Sequence, residues 1–153
     1  MADEETALIV PAPIVASMRS AVQDALPEEA AGLLFGRGRT VEREVSIENV
    51  FHSPVRFRLE PQAQLTAMRA AEDDGLDLLA IYHSHPHGPD DPSPTDMQEA
   101  AYPQAAFLIW WMDSSGVWKC DLFWLRGLEE PGGPRRFEAG TLRVVLPDDT
   151  TAK

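Results

Sequence analysis

The chain of 153 residues holds a single cysteine, Cys120. No internal disulfide can form, which excludes the framework of a small disulfide-stapled secreted protein. Basic residues are scarce. Thirteen Lys and Arg stand against 25 Asp and Glu, a formal net charge of −12. That balance argues against nucleic acid, whose phosphates need a basic face, and equally against an anionic membrane surface. Long apolar runs are missing too. The longest, Ala105 to Met112, falls well short of the roughly 20 residues that span a bilayer. At the N-terminus Asp3, Glu4 and Glu5 stand where a signal peptide would be basic. The expectation is a cytoplasmic chain with neither a nucleic-acid nor a membrane partner.

What is present suits one globular domain over residues 1–153. The length matches about one domain, and 44% hydrophobic residues exclude a disordered chain. Leu8 to Val10 reads as an edge strand. Pro13 to Leu26 reads as a helix with Ile14, Met18, Ala21, Val22 and Ala25 at helical spacing. Ala30 to Phe35 reads as a strand, and the alternation in Val41 to Asn49 marks a half-buried one. Pro61 to Asp74 reads as a second helix with Leu65, Met68 and Ala71 inward, ended by Gly75. Leu76 to His85 and Ala105 to Asp113 are apolar on both faces, as in central strands. A short helix is expected from about Pro94 to Ala101. Ser114-Ser115-Gly116 turns the chain into a hairpin with Val117 to Leu125, and Phe137 to Leu146 adds a last strand. The class is mixed α and β.

Three of the four histidines fall in His83-Ser84-His85-Pro86-His87. In a strand, residues i and i+2 share a face, with Cα atoms about 6.6–6.8 Å apart. Two imidazoles so placed converge on one metal ion. His87 follows Pro86 and precedes Gly88, which break the strand, so it is left out. A lone H-x-H is common and is more often no metal site. Further on, Ser93, Pro94 and Asp96 read equally well as a helix cap. Capping and ligation are compatible, and two histidines with one carboxylate leave a fourth position open, the arrangement of a catalytic zinc site.

His83-Ser84-His85-Pro86, five residues, Pro92-Ser93, two residues, Asp96 resembles the H-x-H-P-x5-P-S-x2-D signature of the JAMM (MPN+) zinc metallopeptidases, at every fixed position and both spacings. Upstream, Pro27-Glu28-Glu29-Ala30-Ala31-Gly32-Leu33-Leu34-Phe35-Gly36 is similar to the family's glutamate block, with Glu29 at the catalytic position and Glu28 as its neighbouring competitor. Taken alone, Glu29 reads as a solvated turn residue. Glu48-Asn49-Val50 and Phe57 resemble the family's second strand and the segment after it. The likeness covers roughly residues 7 to 126, and residues 127–153 form an extension of unassigned role.

The resemblance implies a single-domain cytidine-deaminase-like α/β sandwich, a central mixed sheet flanked by helices. It implies one Zn2+ per chain on His83, His85 and Asp96, with water as fourth ligand. Glu29 would act as general base and then acid, and Ser93 would donate to the oxyanion. Compact bacterial relatives imply a peptidase or isopeptidase acting after the C-terminal Gly-Gly of a ubiquitin-like sulfur-carrier protein or its conjugates. The Gly-Gly tail is expected alongside the active-site strand as an added strand, with docking through Arg56 and Arg58. Two other readings compete: a non-catalytic MPN scaffold, disfavoured because Glu29, His83, His85, Ser93 and Asp96 are all present, and a 2-His-1-carboxylate iron enzyme. Trp110, Trp111, Trp118 and Trp124 are expected in sheet packing, Cys120 as a small buried hydrophobe, and His52 in a surface loop.

Overall fold

The computed structural model describes residues 7–88, 102, 104–127 and 136–146. The elements are β1 (Ala7–Pro11), α1 (Ala12–Ala25), β2 (Ala31–Arg37), β3 (Thr40–Ile47), α2 (Pro61–Asp73), β4 (Asp77–His85), β5 (Ala106–Met112), β6 (Trp118–Arg126), β7 (Arg136–Ala139) and β8 (Thr141–Val145). The strands form one mixed sheet in the order β7-β6-β5-β4-β2-β3-β1-β8. β2 runs antiparallel to both β3 and β4, while β4 and β5 are parallel. The helix expected near Pro94 to Ala101 lies outside the described residues. No helix among the described residues is long and apolar enough to cross a membrane.

The pleat sorts the core into two clusters. On one face, Val15, Met18 and Val22 of α1 pack with Leu34, Tyr82, Leu108 and Trp110. On the other, Ala67 and Ala71 of α2 pack with Leu33, Phe35 and Ile81. The sheet is thus flanked by a helix on each face, as the apolar runs of β4 and β5 predicted. Gly32 stands opposite Tyr82 in the β2–β4 ladder, and a Cβ there would overlap the Tyr82 ring. Tyr82 donates to Glu44 Oε2 at 2.7 Å, and Ser17 of α1 donates to the same carboxylate at 2.6 Å. One hydrogen-bonded group therefore ties α1 to β3 and β4.

Three expectations need correction. β1 is not an edge strand, because β8 pairs with it in parallel on one side and β3 lies on the other. Phe137 to Leu146 is two strands rather than one. β7 joins β6, β8 joins β1, and only Gly140 lies between them. The two ends of the strand order are therefore adjacent in space, so the sheet curls almost into a barrel. The Gly140 amide donates to Leu122 O at 2.8 Å at this corner. In α2, Leu65 is 43% exposed while Ala67 and Ala71 are buried. Leu65 sits about 200° round the helix from Ala67, and the small alanines form the stripe that meets the sheet. The β5–β6 turn is as expected: Asp113 Oδ1 accepts from Ser115 N at 2.8 Å and from Val117 N at 3.0 Å.

Candidate metal centre

His83 and His85 occupy the end of β4 on the face shared with Ile81 and α2. They are 0% and 5% exposed. Their Nε2 atoms stand 3.1 Å apart. Two nitrogens bound to one tetrahedral ion at about 2.0–2.1 Å are roughly 3.3 Å apart, so the convergence suits a shared metal. It also suits a single N–H···N bond between neutral rings. Phe57 stacks on His83 with centroids 4.4 Å apart and an interplanar angle of 22°, and Phe107 meets it edge-on at 6.4 Å. These rings limit how far the imidazole can turn.

Glu29 enters from the next strand. β2 pairs Ala31 with His83, so the residues just before β2 lie beside the histidines. Glu29 is 3% exposed. One carboxylate oxygen and one ring nitrogen from each histidine lie within 4.8 Å of one another. Burying a carboxylate is costly unless charge and hydrogen bonds offset it, and a divalent cation held by two imidazoles supplies that charge. The three residues could hold a metal ion, and the donor set of imidazole and carboxylate suits zinc or iron.

Glu28 is placed differently. Its side chain is 37% exposed and meets His52 Nδ1 at 3.0 Å, while His52 Nε2 meets Glu48 at 3.1 Å. The hydrogen bond and charge of Glu28, joined by Glu48, raise the His52 pKa. His52 is exposed in a loop, as expected. His87 is exposed in the turn after β4, apart from the cluster. Cys120 is partly buried against the first core cluster, and burial raises its thiol pKa. Ser93 and Asp96 lie outside the described residues. A cleft of about 540 Å³ opens beside Glu29, lined among others by Ser20, Asp24, Glu28, Glu48 and His52.

An added strand along β4 does not fit. β2 covers one edge as far as the Ser84 amide, and β5 covers the other through His85. Backbone pairing to β4 is left only past Ser84 on the β2 side. Two buried polar residues carry more than the sequence suggested. Asn49 donates to Glu29 O at 3.1 Å and Arg56 O at 2.9 Å, and its Oδ1 accepts from Phe51 N and Arg58 N, each at 3.1 Å. It holds the loop that carries Phe57. Ser84 Oγ accepts from Ala30 N at 2.8 Å. The available signal was weak: an Asn ending a strand, and a Ser between two histidines.

Comparison with known proteins gives the family. The family described as prokaryotic homologs of the JAB domain matches residues 11–124, and the chain belongs to it. A probable TtuB-protein conjugate cleaving protease of Thermus thermophilus is 46% identical over 96 residues, 62% of this chain and 64% of that protein. The CysO-cysteine peptidase of Mycobacterium tuberculosis is 34% identical over 104 residues, 67% of this chain and 71% of that protein. The match thus spans less than two thirds of the Thermus relative's length. The solution structure of protein DSY2949 from Desulfitobacterium hafniense superposes with a TM-score of 0.74 at 29% identity, covering 95% of this chain and 99% of that one.

Proposed function

We propose that the chain is a cytoplasmic zinc peptidase and isopeptidase that hydrolyses the bond after the C-terminal Gly-Gly of a ubiquitin-like sulfur-carrier protein. Cleavage frees the carrier from an amino acid, a tail or a conjugated lysine. The observation that carries this reading is the meeting of Glu29, His83 and His85 at one buried point. The relatives support the substrate class, since one is named for cleaving TtuB-protein conjugates and the other for acting on CysO-cysteine. The cytidine-deaminase-like label for the sandwich belongs to the same reading.

In this reading His83, His85 and Asp96 hold one zinc per chain. Bound zinc supplies Lewis acidity, which polarises a carbonyl and makes water a better proton donor. Glu29 takes the proton from the attacking water and passes it to the leaving amine. Such general acid–base work is worth about 10²–10⁴ in rate. Ser93 donates a hydrogen bond to the developing oxyanion. Glu28, turned toward His52, has no part in proton transfer. The carrier's tail approaches from beyond Ser84, and its body docks near Arg56 and Arg58, a basic pair on an otherwise acidic chain.

The test incubates the zinc-loaded chain with its own organism's carrier fused to a short peptide and maps the cut by mass spectrometry. Cleavage after Gly-Gly is expected, with poor cleavage once either glycine becomes leucine. Equal cleavage of both tails would remove the Gly-Gly specificity. No cleavage by fully loaded protein would also remove the Gly-Gly reading, while leaving the metallopeptidase reading in place.

A further inference from the structure

We infer that Ser84 is a positioning residue for Glu29, acting through the single peptide that joins Glu29 to Ala30. This rests on the reading of Glu29 as the proton carrier. Ser84 lies between the two histidines, fully buried, with its side chain on the sheet face opposite theirs. The Ala30 N–H donates to Ser84 Oγ at 2.8 Å, and the Ser84 N–H donates to Ala30 O at 3.1 Å. At the other end of the same peptide, the Glu29 carbonyl accepts from Asn49 Nδ2 at 3.1 Å. Both polar ends of the Glu29–Ala30 peptide are therefore gripped by buried side chains from different segments. One step back, the Glu29 N–H donates to Ser53 O at 2.8 Å.

A peptide unit is planar. Fixing its C=O and its N–H fixes the plane, and with it the ψ of Glu29 and the direction in which its side chain leaves the backbone. Ser84 adds something that packing alone would not need. The β4 backbone is already laddered to β2 and β5, so an alanine would fill the strand. Only the hydroxyl gives the buried Ala30 N–H an acceptor. Without it that N–H carries an unmet desolvation cost, and the peptide can rotate toward another partner. The carboxylate then swings away from the two imidazoles. Because Ser84 stands between His83 and His85, it ties the position of Glu29 to the strand that carries both imidazoles, with no flexible element between them.

The test compares the parent with Ser84→Ala, Ser84→Cys and Ser84→Thr as full-length, zinc-loaded chains on the carrier–peptide fusion. Misplacing a reacting group by about 1 Å can cost about 10²-fold. That fall in kcat is expected for Ser84→Ala, with KM and zinc content near the parent's. Threonine keeps the acceptor and should restore most of kcat, while cysteine, a weak acceptor, should fall between. Independently of activity, amide exchange at Ala30 should quicken in Ser84→Ala while Ile81 and Tyr82 stay protected. Parental kcat with slow Ala30 exchange in a folded alanine or cysteine variant would overturn the inference. Zinc loss in step with activity would also overturn it, by making Ser84 a support for the histidines. If the alanine variant does not fold, the cysteine variant decides alone. Should the loaded parent cut nothing, the reading of the carrier as substrate fails, and Ala30 exchange still decides whether Ser84 holds the peptide.

Discussion

Glu28→Gln and Glu29→Gln change the same chemical group at adjacent positions, so their contrast isolates placement. Each replaces a carboxylate by an isosteric amide that cannot accept a proton from water. At position 29 the side chain is 3% exposed and lies within 4.8 Å of the two imidazoles. Removing a general base there should cost about 10²–10⁴ in kcat, about 2.7–5.5 kcal/mol of barrier at about 1.4 kcal/mol per factor of ten. At position 28 the carboxylate is 37% exposed and turned to His52 at 3.0 Å, so kcat should stay close to the parent's. The assay is cleavage of the carrier–peptide fusion under single-turnover conditions, with zinc content measured on the same samples. Glu29→Gln should keep its zinc and its fold, because the histidines and the shape of the site are unchanged. A dead Glu28→Gln beside an active Glu29→Gln would refute the assignment of roles in this segment. Equal losses in both would refute the argument from placement.

Gly32→Ala should destabilise the fold by about 1–3 kcal/mol through overpacking, because its Cβ would overlap the Tyr82 ring; urea midpoints of the parent and the variant measure this, and an unchanged midpoint would contradict it. His52 has a pKa raised chiefly by its hydrogen bond to Glu28, so its protonated form stabilises the folded chain below about pH 6.5, and the contribution is lost as pH rises through the raised value. His52→Gln should therefore lower Tm near pH 5 and leave it unchanged near pH 9, and the reverse order would contradict the sign. Ending the chain before Arg136 removes β7 and β8 and leaves β1 and β6 each without one ladder partner. The truncated chain should unfold at lower urea and aggregate more readily, and an unchanged midpoint would mean that the closure of the sheet contributes little.

Local patterns were legible wherever the physics is local. The period of two put His83 and His85 on one face, and both-face burial marked β4 and β5 as interior strands. Long-range partners were not legible. Nothing in Leu8 to Val10 says that Thr141 to Val145 will lie beside it, so β1 read as an edge, and nothing in Phe137 to Leu146 says that its two halves will pair with different strands. Of the expected stripe Leu65, Met68 and Ala71, Ala71 is buried and Met68 packs against the second cluster, but Ala67 rather than Leu65 meets the sheet, because helical spacing does not fix the centre of the stripe. Glu28 and Glu29 cannot be told apart by composition. Only a family resemblance favoured Glu29, because the partner that fixes its peptide, Ser84, lies 54 residues from Ala30. Asn49 stood at a strand end, in a block resembling the family's second strand, and neither feature told that it holds four backbone groups.

The measurement that bears most directly on the account is anomalous diffraction at the zinc edge from crystals grown with zinc. The convergence of the two Nε2 atoms at 3.1 Å predicts one strong peak per chain, about 2.0–2.1 Å from both nitrogens, with the Glu29 carboxylate beside it. A peak remote from these nitrogens, or none in protein that cleaves the carrier fusion, would contradict a metal-dependent site built on His83 and His85.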